Sequence, residues 1–307
     1  MQTYKMNLRA SVRDWAIENM PYDRRDDQII SYLKNAPLCS LIIKILNWNS
    51  RFISVKPRNV HLSKSIMAKC SDDIKPDLMK IIYDIELGVN LRRYLSHDVL
   101  VAFESNAFKV KGRRKRANID FLLNDWGIHH LHISTKISDD GFVRSKNLLF
   151  ALFKSDDAYL IDIGVHGDWV KEHLVRILHE EFPESGGTFV LSGITGAREG
   201  FSEKDRWQLR NSGVTTAVTV KGKFVVAGGG ITSAGTALAI TIKADLLLKK
   251  LDDFEKLWLS NPERVQQASA EVGIPISCQP NFSFTIDSVY GPSIFEDKSK
   301  LIIPLDI

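Results

Sequence analysis

The sequence predicts an α+β fold: a central antiparallel sheet with flanking helices, a helical N-terminal region and a long C-terminal helix. Three observations predict it. Apolar residues recur at helical spacing in the first hundred positions, as at Leu78, Ile81, Ile82 and Ile85. Between positions 128 and 166 the pattern changes to the two-residue alternation of strands. A helical seam then returns at Ile240, Ala244, Leu247, Leu251, Phe254 and Trp258.

Each element has a local reason. Pro76 and Asp77 open a helix, where a missing amide and an early acid are tolerated. Residues 40–46 are apolar and ambiguous between helix and strand, and residues 48–64, rich in Arg, Asn, Pro and β-branched side chains, read as loop with short extended pieces. Residues 119–126 suit a short helix. Residues 128–134 alternate as a strand, 148–154 form the near-continuous apolar run of a central strand, and 159–166 alternate again. Asp168 reads as the cap of a helix carrying Val170, Leu174, Ile177, Leu178 and Phe182, closed by Pro183. A glycine-punctuated loop at 186–200, a hairpin at 214–227 and the turn Gly228-Gly229-Gly230 precede the long helix, expected near 234–259 and ended by Asn261-Pro262. Domain organisation follows the change of period. Residues 1–108 form a mostly helical region, and 109–307 an α+β domain with the candidate active site.

The 307 residues are 44% hydrophobic and 25% charged, ordinary for a globular chain with a full core. A net charge of +4 and a pI near 8.8 point weakly to a polyanionic partner. Cys39, Cys70 and Cys278 lie far apart with no CxxC pair, so neither a zinc knuckle nor a disulfide framework is implied. The N-terminus lacks the apolar core of a signal peptide, and the longest apolar stretch, near 41–46, is too short for a bilayer. A cytoplasmic protein without a membrane partner is expected.

Six of the eight histidines fall between positions 129 and 179. Strand alternation places His130, His132 and Ser134 on one face, opposite Leu131 and Ile133. In the later strand it places Asp162, Gly164 and His166 opposite Ile161 and Ile163. If the two polar faces point the same way, His132, Asp162 and His166 converge. Arg144 can reach them from a loop, and Gly164 leaves room for a ligand. Histidines titrating near neutrality act as general acid and base, and an arginine holds a phosphate. That combination suits RNA cleavage with the 2′-hydroxyl as nucleophile and no cofactor. His130 and His132 with Asp162 or His166 could instead bind a divalent metal that activates water. His173 and His179 share a polar helix face with Lys171, Glu172, Arg176 and Glu180, which accounts for them. Lys109, Lys111, Arg113, Arg114, Lys115 and Arg116 form an exposed cationic run suited to nucleic acid, RNA above all. There is no Walker A loop, no GxGxxG fingerprint and no HExxH.

Residues 119–183, with the phrases IHHLHIS, VRSKNLLFALF and YLIDIGVHGDW, resemble RNase domains of the RelE, barnase and colicin type. The resemblance implies a metal-independent endoribonuclease serving as a toxin or phage-defence effector, with an inhibitor as a possible partner. His132, His166 and Arg144 would be its acid–base and phosphate-binding residues, with His130 and Asp162 beside them. The chain beyond Pro183 is longer than such a domain requires. The stretches WNSRFISVKPRNVHLS and GGGITSAGTALAITIKADLLL look like parts of uncharacterised bacterial proteins of mobile elements, which implies a bacterial setting. A restriction-type nuclease would need an acid followed by [DE]xK, and neither Asp139-Asp140 nor Asp162 has the lysine at that offset. Two readings remain beside the endoribonuclease: a metal-dependent nuclease using the HxH site, and a non-catalytic nucleic-acid-binding protein. The seam of the long helix serves a core or a homodimer contact.

Overall fold

A computed structural model describes residues 6–103, 119–193, 200–277 and 279–307. The first hundred positions are mainly helical: α1 (Leu8–Asn19), α2 (Asp27–Asn35) and α3 (Leu38–Asn49), then strand β1 (Asn59–Leu62), α4 (Lys64–Lys69) and α5 (Lys75–Glu86). The ambiguous segment 40–46 is thus helical, while 59–62 is one of the short extended pieces. Asn7, Asp26 and Ser63 cap α1, α2 and α4 through side-chain acceptors, and Pro76 sits in the first turn of α5.

The middle of the chain holds α6 (Phe121–Trp126), β2 (His129–His132), β3 (Asn147–Phe153), β4 (Asp157–Val165), α7 (His173–Glu181), β5 (Thr188–Val190), α8 (Glu203–Asn211), β6 (Val218–Val220) and β7 (Lys223–Ala227). The last third holds α9 (Leu238–Ser260), α10 (Pro262–Glu271), β8 (Phe282–Asp287), β9 (Gly291–Glu296) and β10 (Leu301–Pro304). The protein is α+β. The expected division at position 108 is replaced by an interleaved one. Among the described residues, one compact unit takes those up to 46, 101–103 and 240 onward; the other takes 47–100 and 119–239.

The second unit carries the candidate site. Its four-stranded sheet has the order β1-β4-β3-β2. Strands β2, β3 and β4 are antiparallel neighbours, as expected, but β1 adds to β4 in parallel, so the sheet is mixed. Leu131, Leu149, Ala151, Ala158 and Leu160 face a core completed by Leu78, Ile81, Ile82 and Ile85 of α5. Leu148, Phe150, Leu152, Tyr159 and Ile161 face a second core against Leu174, Val175 and Leu178 of α7 and the small sheet β5-β7-β6. Burying each of the Leu, Ile, Val and Phe side chains is worth roughly 1.5–3 kcal/mol.

One irregularity re-aims the site. Phe150 pairs with Asp162 but Ala151 with Leu160, so Ile161 is an extra residue in β4. Such a bulge reverses strand parity. Tyr159 and Ile161 enter one core and Ile163 the other, against simple alternation. Gly228 permits a second close approach. Its φ is +71°, and a β-carbon there would lie 2.4 Å from the Trp126 carbonyl carbon, so the turn after β7 packs directly on the end of α6.

In the first unit, α9 buries Ile240, Ala244, Leu247, Leu251 and Trp258, which places the seam in a core. Phe254 and Trp258 each lie 5.1 Å from Phe282 of β8, and Trp15 of α1 lies 5.7 Å from Phe284. Among the described residues no single helix is long and apolar enough to cross a membrane.

Candidate functional site

Strand β2 presents its histidines as alternation predicts. His130 pairs opposite Phe150 and His132 opposite Leu148, on the face of the second core, while Leu131 enters the first. His166 follows the end of β4. The rings of His132 and His166 lie 5.5 Å apart at 48°. Trp169 meets His166 edge-on at 5.7 Å and sits 6.3 Å from His130. Two histidines therefore flank one indole, and the third packs on His166.

Their second partners differ. His132 Nδ1 is committed to the Ser145 main chain, donating to the carbonyl at 3.1 Å or accepting from the amide at 3.3 Å, according to tautomer. Burial pushes His132 below the usual imidazole range against the Ser145 bond, and charge on His130, His166 and Arg144 would push it further. His130 Nδ1 lies 3.5 Å from Asp120 Oδ2, an ion-pair distance rather than a formed hydrogen bond. Asp120 Oδ1 meanwhile caps α6 by accepting from Leu123 N at 3.0 Å, which fixes the carboxylate beside the ring. Burial pushes neighbouring His129 down to about 4.

A cleft of about 330 Å³ opens here, with His130, His166, Trp169, Trp207, Arg51 and Arg210 among its walls. Its floor is built by α8. Ser202 and Asp205 form a capping box at its start, and Arg206 and Arg210, four apart, both turn inward. Arg210, 3% exposed, donates from Nε to Asp125 Oδ2 at 2.8 Å and from Nη1 to the Trp169 carbonyl at 2.6 Å, and lies 4.1 Å above the Trp126 ring. Its Nη2 is buried without a hydrogen-bond partner. Thr215 donates to the other Asp125 oxygen at 3.0 Å. Burial pushes Asp125 up and Arg210 down, each against the pull of its partner's charge.

The expected constellation is assembled only in part. His130, His132 and His166 come together. Arg144 does not line the cleft; its Nη2 pairs with Asp140 Oδ2 at 2.7 Å, and its side chain is 68% exposed. Asp162 is held elsewhere. Its Oδ1 accepts from Ser65 Oγ at 2.7 Å and Ile163 N at 2.9 Å; its Oδ2 takes Lys69 Nζ at 2.7 Å and His173 Nε2 at 2.6 Å. The metal set of His130, His132 and Asp162 is thus not assembled, and among the described residues no three His, Cys, Asp or Glu side chains converge in ligand geometry. The space at Gly164 is filled by Asp168, whose Oδ2 would lie 2.5 Å from a β-carbon there. Asp168 accepts from Val165 N at 3.0 Å and opens a short 3-10 turn (Asp168–Val170); α7 starts later, at His173. Lys111, Arg113, Arg114, Lys115 and Arg116 lie outside the described residues. Asp120, Trp169, Trp207, Arg51 and Arg210 were not singled out by the sequence reading.

Asp162 carries a pH prediction. Burial raises its pKa, but hydrogen bonds from His173, Lys69 and Ser65 outweigh that and hold it at about 2. A depressed folded pKa gives stability that is present above the unfolded value near 3.9 and lost as pH falls through about 2. Urea denaturation between pH 5 and 2 is expected to show this loss, and Asp162→Asn to flatten it. An unchanged slope in the variant would remove Asp162 from the acid response.

No family model matches the chain, and no curated protein and no solved structure matches it either.

Proposed function

We propose that this protein is a metal-independent endoribonuclease that cleaves RNA through its 2′-hydroxyl. The observation that carries the reading is the pair His130 and His166, both against Trp169 at the wall of a cleft, with His132 in ring contact with His166. His130 and His166 line that cleft and act as the acid–base pair. His132 stands behind His166 and positions it, since its Nδ1 is bound to the Ser145 main chain. One imidazole removes the 2′-hydroxyl proton; O2′ bonds to phosphorus; the P–O5′ bond breaks, and the second imidazole protonates O5′. The products are a 2′,3′-cyclic phosphate and a 5′-hydroxyl. Arg51 supplies positive charge at the wall for the phosphate.

Asp120 supports this division of labour. Its carboxylate, held by the cap of α6, stands 3.5 Å from His130 Nδ1 on the side of the ring away from the proposed chemistry at Nε2. The role expected for Arg144 passes to Arg51. A toxin or phage-defence setting, a cytoplasmic location and a protein inhibitor belong to this proposal through the resemblance of residues 119–183. So does retention of polyanionic RNA by the basic run at 111–116.

The test is cleavage of single-stranded RNA by the full chain with and without EDTA. Cleavage is expected to survive chelation. Activity abolished by EDTA and restored by Mn²⁺ or Zn²⁺ would overturn the metal-free reading. RNA binding with no cleavage under either condition would leave a nucleic-acid-binding protein.

A further inference from the structure

All six tryptophans of the chain are among the described residues, and five have company for the ring. Trp15 meets Phe284, Trp48 meets Phe52, Trp126 lies under Arg210, Trp169 meets His166 and Trp258 meets Phe282. The indole of Trp207 has no aromatic, cation or hydrogen-bond partner among the described residues, and the residue is 49% exposed. A single exposed ring is ordinary on a protein surface. This one is a wall of the cleft that holds His130 and His166, and a large ring bared beside titratable groups in a cleft has the character of a ligand site. Helix α8 holds it in place. Trp207, Arg210 and Asn211, three and four positions apart, share the helix face that lines the cleft. Arg210 anchors that face through Asp125 and the Trp169 carbonyl, and the capping box fixes the start of the helix. A bare indole offers a flat face that stacks and almost no hydrogen-bond selectivity. In a duplex both faces of a base are covered by its neighbours, so only an unpaired base lies on such a platform. Every base has a π-face, so the platform does not choose among them. The cleft volume of about 330 Å³ is at the small end for ligand sites, with room for one nucleotide.

We infer that Trp207 is the stacking platform for one unpaired base of the substrate, so that the cleft takes single-stranded RNA without regard to base and refuses the duplex. The inference rests on the proposal that the cleft receives RNA, and adds which form of RNA it takes and the residue that decides it.

Fluorescence anisotropy of the full chain with labelled 2′-O-methyl oligonucleotides, which lack the nucleophile and stay intact, tests it. Single strands of adenylate, cytidylate and uridylate are expected to bind alike, and the adenylate–uridylate duplex about tenfold more weakly. Trp207→Ala is expected to weaken all three single strands about tenfold, and Trp207→Phe, which keeps a ring, to restore most of the loss. The position is half-exposed, so both variants keep the unfolding midpoint of the parent, which separates lost stacking from lost structure. Trp207→Ala binding as tightly as the parent, a loss confined to one base, a duplex held as tightly as the single strands, or no binding of any strand would each overturn the platform. The two readings fail separately. RNA cut by a Trp207→Ala protein that binds it as tightly as the parent overturns the platform and keeps the cleavage proposal. Single-strand binding that depends on Trp207 in a protein that cuts no RNA keeps the platform and overturns the cleavage proposal.

Discussion

His166→Ala and His130→Ala are each expected to lower RNA cleavage by about 10²–10⁴-fold, the loss typical of a missing general acid or base. His166 is exposed, so its removal opens no core and leaves the unfolding midpoint close to that of the parent. The double variant is expected to lose less than the product of the single losses, because two groups that act in one step cannot be lost twice. His132 behaves differently, since it acts through His166. His132→Ala lowers the rate, and His132→Asn, whose amide can still bond the Ser145 main chain, recovers much of it. Arg144→Ala, at an exposed side chain paired only with Asp140 among the described residues, leaves the rate essentially unchanged. A His166→Ala enzyme as fast as its parent would remove the histidines from the chemistry.

Asp125→Ala is expected to be among the most destabilising single changes in the second unit, by about 3–5 kcal/mol, because it strands the Arg210 charge in a site with almost no solvent. Asp125 and Arg210 tie α6 to α8, and Arg210 also fixes the Trp169 carbonyl, so the loss is expected to loosen the floor of the cleft. Replacing the pair together, with Asp125→Leu and Arg210→Met, should return part of the stability, since an apolar pair leaves no charge to desolvate. Urea denaturation followed by tryptophan fluorescence, with Trp126 stacked under Arg210 as the reporter, measures it. A loss under about 1 kcal/mol for Asp125→Ala would mean that water reaches the guanidinium freely.

The legible part of this fold was set by local rules. Alternation over His130, Leu131 and His132 assigned the β2 faces correctly, because a strand of four residues with no bulge obeys a period of two. The same rule failed in β4. Ile161 is an extra residue there, so Ile163 returns to the first core and Asp162 meets Ser65, Lys69 and His173. A bulge has no signature in apolar spacing, and Ser65 and Lys69, which hold Asp162, come from α4, far away in sequence. His173, assigned by spacing to a polar face, is drawn inward by that carboxylate. Helix α8 was legible in principle. Ser202 and Asp205 have the spacing of a capping box, but the helix lacks the apolar stripe that marks a core-facing surface, because buried arginines replace it. The pairing of Arg210 with Asp125 spans 85 positions, and only the folded chain reveals it.

The ends of the RNA products test the central claim most directly. In EDTA, the protein is expected to produce fragments ending in a 2′,3′-cyclic phosphate and beginning with a 5′-hydroxyl, and an oligonucleotide with a single 2′-deoxy residue at the scissile position is expected to resist cleavage there. Fragments with 5′-phosphate and 3′-hydroxyl ends, or unimpaired cleavage at the 2′-deoxy residue, would contradict catalysis by His130 and His166 through the 2′-hydroxyl.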